Sequence, residues 1–369
     1  MHIERIELRV LQLPLVRHFE TSFRRSFGRD TILVTVWADG VAGWGESPVE
    51  DGPWYSPETV ETAWHVQRDF LVPLLLGQEI ATADEAFARM ARVRGHAMAK
   101  TGLEEALWDV EARQKGVSVA HLLGSTRPAI ESGVSVGIQD TPDELLAQVE
   151  GYLAQGYRRI KVKIKLGWDV EIVRRLRERW PDVPLMVDAN SAYTLADAER
   201  LAALDDFGLL MIEQPLAYDD IYEHSLLQPR LRTPLCLDES IHTPAHARTA
   251  LELGSCRIIN IKPGRVGGLG QARRIHDLCH ARGAPVWCGG LLETGVGRAH
   301  NVAIASLPGY TLPGDVSASD RYFARDVVEP PFRLNADGTI TVPTGPGIGV
   351  EIDHPFLEQV TVRREVFAD

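Results

Sequence analysis

The chain has 369 residues, 44% apolar and 24% charged, with 39 Lys plus Arg against 51 Asp plus Glu and a formal net charge of −12. A chain of this size buries a large core without disulfides or a structural metal, and the acid excess argues against nucleic-acid binding, which needs a basic face. Four cysteines with no C-x-x-C pair exclude a secreted disulfide framework.

At the N-terminus, MHIERIELRV carries charges that break any signal-peptide core, and no apolar run reaches bilayer length. A cytoplasmic protein without membrane contact is expected. Residues 3–13 alternate as a strand, TILVTVWADG (31–40) reads as a strand ending in an Asp-Gly turn, and VAGWGE (41–46) as its hairpin return. A helix is predicted from Ser56-Pro57 to about Leu76, disturbed near Pro73, and another over 97–115. Residues 1–128 are therefore expected to form an α+β capping domain.

From about residue 130 strands and helices alternate. GVSVGI (133–138), RRIKVKIK (158–165), PLMVDAN (184–190), LLMIEQP (209–215), TPLCLDES (233–240), CRIINIKPG (256–264), APVWCGG (284–290) and YTLPGD (310–315) are eight strand signals. At least five helices lie between them, one opening at Thr141-Pro142 and closing near Gly156, another running from Thr243-Pro244 to Gly254. Such alternation predicts a parallel sheet, and eight units favour a modified (β/α)8 barrel over 129–325 rather than an open doubly wound sheet. Residues 326–369 are expected to return and pack on the cap.

One charged residue recurs near the end of five consecutive strands: Lys163, Asp188, Glu213, Asp238 and Lys262, at intervals of 25, 25, 25 and 24. In a barrel this phase places all five at the mouth where active sites sit. Three adjacent carboxylates repel one another without a cation, and hard oxygen donors suit Mg²⁺, with Mn²⁺ or another divalent ion as substitute. Asn190 and Glu239 stand beside these ligands as supporting groups, with turn and cap chemistry as the alternative reading. Lys163 and Lys262 flank the carboxylates on opposite sides of a closed ring, as two bases facing one carbon would. Strand alternation points Lys161, Lys163 and Lys165 the same way, so Lys161 is expected to lower the pKa of Lys163 and Arg265 that of Lys262. GRVGGLG (264–270) lacks the P-loop pattern and reads as a tight turn.

The motifs Lys161-Val162-Lys163, Asp188-Ala189-Asn190, Glu213-Gln214-Pro215, Asp238-Glu239-Ser240 and Lys262-Pro263 resemble the enolase superfamily, muconate-cycloisomerase subgroup. That resemblance implies Mg²⁺ on the three carboxylates and enolisation of a carboxylate substrate by the two lysines. HFETSF (18–23), GHAMAK (95–100), PVWCGGLLETGVGRAHN (285–301) and LPGDVSASDRY (312–322) are similar to the o-succinylbenzoate synthase and N-succinylamino acid (N-acylamino acid) racemase group. It implies a mobile capping loop carrying Phe19 and Phe23, and substrate contacts at Ser135, Gly290, Leu291, Asp315 and Ser317. Tyr55, beside Trp54 in a capping loop, is read apart from the resemblance as an aromatic placed to line substrate, with an ordinary surface-loop aromatic as the alternative. Leu291, where Met is usual, and the stretch RRSFGRD (24–30), longer than the usual link, depart from the pattern.

The expected enzyme is thus a racemase of N-acyl amino acids that also forms o-succinylbenzoate by dehydration. It acts as a homo-oligomer on a small carboxylate, with no nucleic-acid partner. Dipeptide epimerases of the superfamily hold a free ammonium with Asp-x-Asp, whereas Asp315-Val316-Ser317 lacks the second acid. A muconate-cycloisomerase-like enzyme and a non-catalytic binding protein are the remaining alternatives, and two opposed bases argue against the latter.

Overall fold

The computed structural model describes residues 1–369. Its first elements form an antiparallel hairpin, β1 (Ile3–Glu20) with β2 (Arg25–Ala38), which turns into β3 (Val41–Ser47). Asp39 and Gly40 at that turn both have positive φ, 49° and 76°, as a type I′ hairpin requires. The first two strands outrun their predicted ends because the ladder, interrupted beyond Pro14, resumes at Phe19–Ser26. RRSFGRD (24–30) is thereby drawn almost wholly into β2.

The predicted helix at 56–76 starts later. Its first turn, α1 (Val60–Val66), is capped by Thr59 in a reciprocal box with Thr62, while the Ser56 hydroxyl accepts locally from Glu58 N. A π-turn over Gln67–Leu71 follows, just before Pro73, which has no N–H to give the helix. The long helix α2 (Ala97–Gln114) is buried almost throughout because it lies directly on β3. Glycines at the crossing permit this: a Cβ on Gly45 would stand 2.1 Å from the Gly102 carbonyl oxygen.

Beyond the cap, β4 (Val134–Val136), β5 (Ile160–Lys163), β6 (Leu185–Asp188), β7 (Ile212–Glu213), β8 (Leu235–Leu237), β9 (Ile258–Ile261) and β10 (Val286–Cys288) make one parallel sheet in chain order. Helices between them obey the predicted punctuation: α3 (Pro142–Gln155) is capped by Thr141 and ends at Gly156, and α4 (Pro244–Leu253) runs from Thr243 to Gly254. The eighth predicted strand differs. Residues 310–315 touch both sheet edges through single bridges, Val286–Tyr310 and Ser132–Gly314. Pro313 removes a donor from the middle of this segment, so no ladder propagates, yet Gly133 N donates to Gly314 O at 2.7 Å and Asp315 N to Cys288 O at 2.9 Å. Seven strands and one irregular segment thus close the modified barrel.

Below its mouth, Met186, Met211, Cys236, Ile258 and Trp287 form a separate apolar layer, with Trp287 Nε1 donating to Cys236 Sγ at 3.3 Å. After the barrel, Thr339–Thr341 pairs with Ala129–Glu131, and β11 (Thr361–Ala368) adds to the edge of β1 in the cap sheet. No helix is long and apolar enough to cross a membrane.

Candidate active site

Parallel register sets the height of each polar side chain. Lys163 pairs with Asp188, and Asp188 with Glu213, so the three share one rung. Asp238 and Lys262 each follow the last residue of their strands, β8 and β9. The intervals of 24 and 25 residues correspond to one strand per step around the ring. Lys163 belongs to the second of eight segments and Lys262 to the sixth, which puts them across the mouth from each other.

All five are buried and tied together. Lys163 Nζ donates to Asp188 Oδ2 at 2.6 Å and to Asn190 Oδ1 at 2.7 Å, and Asn190 Nδ2 donates to Glu239 Oε1 at 2.8 Å. Lys161 Nζ lies 2.9 Å from Glu213 Oε2 and 3.1 Å from Asp188 Oδ2. On the other side, Lys262 Nζ donates to Asp238 Oδ2 at 2.7 Å and to the Tyr55 hydroxyl at 3.2 Å, while Arg265 pairs with the second Asp238 oxygen.

Sequence reasoning missed two residues that hold this frame. Asn260 Nδ2 donates to Glu213 Oε1 at 2.7 Å; its place two residues before Lys262 on one strand was the available signal. Gln214 accepts from Asp238 N at 3.0 Å and donates to Ser240 Oγ at 2.6 Å. Asn190 and Gln214, each just past a predicted metal ligand, have φ of 41° and 37°, conformations that cost energy and persist where the surroundings impose them.

The two lysines differ electrostatically. Burial lowers the pKa of Lys163, with Asp188 opposing and Lys161 assisting, so the predicted like-charge contribution is present but secondary. Lys262 is instead raised, contrary to the expectation placed on Arg265. Burial opposes its charge, but Tyr55, Glu213, Glu239 and Asp188 outweigh burial, and Arg265 spends its own charge on Asp238. Burial also resists ionisation of Asp188, yet Lys163 and Lys161 hold it well below the usual carboxylate range. Glu239, buried beside Asp188, is pushed up to about 7.

Three buried carboxylates on adjacent strands offer oxygen donors of the kind a hard divalent cation takes. They do not converge into a ready ligand cluster, because ammonium and guanidinium groups satisfy their oxygens. The donor chemistry fits such a cation: each acid already requires a positive partner, which Lys161 supplies to Glu213, Lys161 and Lys163 to Asp188, and Lys262 and Arg265 to Asp238.

A cavity of about 340 Å³ opens above this rung, with Lys163, Asn190 and Lys262 on it. Of the predicted substrate contacts, Phe19, Phe23, Tyr55, Gly290 and Leu291 line it. Ser135, Asp315 and Ser317 do not. Asp315 is buried between Lys161 Nζ at 2.6 Å and Arg159 Nη1 at 2.7 Å, its two oxygens each facing a cation. The hydroxyls of Ser135 and Ser317 are buried without partners. Lys165, predicted to face inward, lies beyond the end of β5 and reaches Glu20 at 3.3 Å instead. Arg24, Arg25, Arg29 and Glu50 from the cap also line the cavity and were not foreseen as site residues.

Residues 5–124 match the family model for the mandelate racemase / muconate lactonizing enzyme N-terminal domain, and residues 144–356 the enolase C-terminal domain-like model. The chain is 56% identical over 368 residues to an o-succinylbenzoate synthase of Geobacillus stearothermophilus, covering 100% of this chain and 98% of the relative. It is 52% identical over 365 residues to an N-succinylamino acid racemase of Amycolatopsis sp, covering 99% of each. A crystal structure of an enolase-superfamily member from Listeria innocua superposes with a TM-score of 0.96 at 39% identity, covering 100% of this chain and 99% of that one.

Proposed function

From the premise that the chain belongs to the mandelate racemase / muconate lactonizing enzyme family of the enolase superfamily, we propose that it racemises N-acyl, in particular N-succinyl, amino acids and also dehydrates a related carboxylate to o-succinylbenzoate. Both reactions begin by removing a proton from the carbon next to a carboxylate. The observation that carries the reading is the pair Lys163 and Lys262, on opposite sides of one ring and lining one cavity.

In this reading Lys163 takes the proton from one face and Lys262 delivers a proton to the other, or the reverse for the other enantiomer. Dehydration uses the same abstraction, after which the lysine that took the proton returns it to the hydroxyl leaving the neighbouring carbon, so that water departs and the ring double bond forms. Asn190 orients Lys163, while Tyr55 and Asp238 orient Lys262. Phe19, Phe23 and Leu291 give the cavity apolar walls. Enzymes of this superfamily depend on a divalent metal; here Asp188, Glu213 and Asp238 would hold Mg²⁺, or Mn²⁺ in its place, which would stabilise charge developing on the substrate carboxylate.

An N-acyl substrate is favoured over a dipeptide by the state of Asp315. A free ammonium needs an available carboxylate, and this one is spent on Lys161 and Arg159. We place the enzyme in the cytoplasm as a homo-oligomer; its four cysteines, buried and free of disulfides, suit a reducing compartment.

The test is kcat/KM of the Mg²⁺-supplemented enzyme on three classes: N-succinyl or N-acetyl amino acids, dipeptides and free amino acids. Racemisation is followed by polarimetry. The N-acyl class is expected to rank first, and a dipeptide ranking first would overturn the assignment.

A further inference from the structure

Three arginines from the cap line the cavity that holds Lys163 and Lys262, and they are not equivalent. Arg24 is engaged by Asp51, Nη2 to Oδ2 at 2.8 Å, and Arg25 by Glu20 and by Asp140 at 2.5 Å. Both are partly exposed, and their charges are matched by carboxylates. Arg29 is 4% exposed. Its Nη2 donates to the Pro48 carbonyl, its nearest ion pair is Glu50 at 3.9 Å, and its Nε has no acceptor at all. A buried guanidinium carries five donors in a planar fork, and leaving one unsatisfied is costly unless a ligand completes it.

We propose that Arg29 is a specificity residue that binds a second, non-reacting carboxylate of the substrate. The inference rests on the N-acyl amino acid reading and deepens it. The lysines fix the reacting carbon, and Arg29 lines the same cavity with a donor to spare. A guanidinium prefers a carboxylate to a neutral amide or methyl group because the charge-assisted bond is about twice as strong. The second carboxylate has two possible origins: the far end of a dicarboxylic acyl arm, or an acidic amino-acid side chain. Residues 24–30, which depart from the pattern of the resembling group, bring this arginine to the cavity as part of β2.

The test compares N-succinylvaline, N-acetylglutamate and N-acetylvaline as substrates of the wild type, Arg29→Met and Arg29→Lys. The wild type is expected to favour at least one dicarboxylate over N-acetylvaline by about tenfold or more, as a charge-assisted bond allows. Arg29→Met should lower kcat/KM for that dicarboxylate roughly thirtyfold further than for N-acetylvaline, and Arg29→Lys should recover part of the loss. Whichever dicarboxylate suffers identifies the origin of the carboxylate. Equal proportional losses on all three compounds, or no loss on any, would overturn the proposal. Should the wild type turn over none of them, the racemase reading fails. Calorimetric titration of the same compounds into Mg²⁺-supplemented wild type and Arg29→Met then decides for Arg29: a selective loss of dicarboxylate binding supports it, and unchanged or uniform binding overturns it. Arg29→Lys serves as the variant for all comparisons if Arg29→Met does not fold.

Discussion

Lys161 and Asp315 clasp each other across the seam of the barrel, Nζ to Oδ2 at 2.6 Å, joining the second strand to the irregular eighth segment. Arg159, immediately before that second strand, pairs with the other Asp315 oxygen at 2.7 Å. Removing the carboxylate would leave two buried cations with diminished compensation. Asp315→Asn is therefore expected to cost about 3–5 kcal/mol of stability. Urea unfolding checks this, and a variant as stable as the wild type with only its substrate preference changed would show that Asp315 faces substrate after all.

The lysines should be separable by stereochemistry. Lys163→Ala and Lys262→Ala should each abolish racemisation, since two faces of one carbon need two bases. Each variant should still exchange the α-proton of one enantiomer with solvent deuterium, a different enantiomer in each case. Near wild-type interconversion by either variant contradicts the two-base arrangement.

Exhaustive chelation should remove activity and Mg²⁺ or Mn²⁺ restore it. Glu213→Gln should weaken cation binding at least tenfold by the loss of a charged oxygen donor, roughly 1–2 kcal/mol or more. Calorimetric titration of Mg²⁺ reads this directly. Full turnover by protein shown to be metal-free by elemental analysis would refute the cation requirement.

The helix after β10, α6 (Gly295–Ala305), carries His300, whose Nε2 donates to the Trp44 carbonyl of the cap at 2.8 Å while Nδ1 is buried without a partner. Burial depresses its pKa from 6.5 to about 4. The unfolded chain thus takes up this proton first as pH falls. The stability contributed by the neutral ring is complete above pH 6.5 and lost progressively as pH drops through 4, up to on the order of 3 kcal/mol. His300→Gln should flatten that part of the profile in urea titrations between pH 7.5 and 4.5; an identical slope in both proteins would assign the acid sensitivity elsewhere.

The five-residue ring was legible because a strand, a helix and two turns consume nearly the same number of residues at each step, so phase survives in one dimension. Tyr55 was legible only as an aromatic in a cap loop, and Arg29 not at all. They reach the mouth from the cap, and no local pattern encodes which loop of one layer lies over which strand of another. The glycine-rich stretch 264–270 shows the converse. It opens the helix α5 (Leu269–Ala281), whose backbone N–H groups at Leu269 and Gly270 donate to Glu104 at 2.9 and 2.8 Å. The anion it cradles is a carboxylate of the cap helix α2, and a Cβ on Gly268 would stand 2.2 Å from that acid. Burial pushes Glu104 up to about 7. Sequence alone read this stretch only as a tight turn, because the carboxylate it cradles lies about 165 residues away in the chain.

The strand β11 enters the cap sheet beside β1, with Arg5 opposite Ala368. Every residue of the barrel lies between these partners in the chain. During synthesis the cap must therefore wait, with β1 an open edge, until the barrel has left the ribosome, and its closure is among the most non-local events in the molecule. The lid of the catalytic cavity thus reaches its final form only after the floor exists, and a nascent chain stalled before β11 exposes a long strand edge to its neighbours. Aggregation during expression should accordingly track the fraction of chains arrested after the barrel and before that last strand.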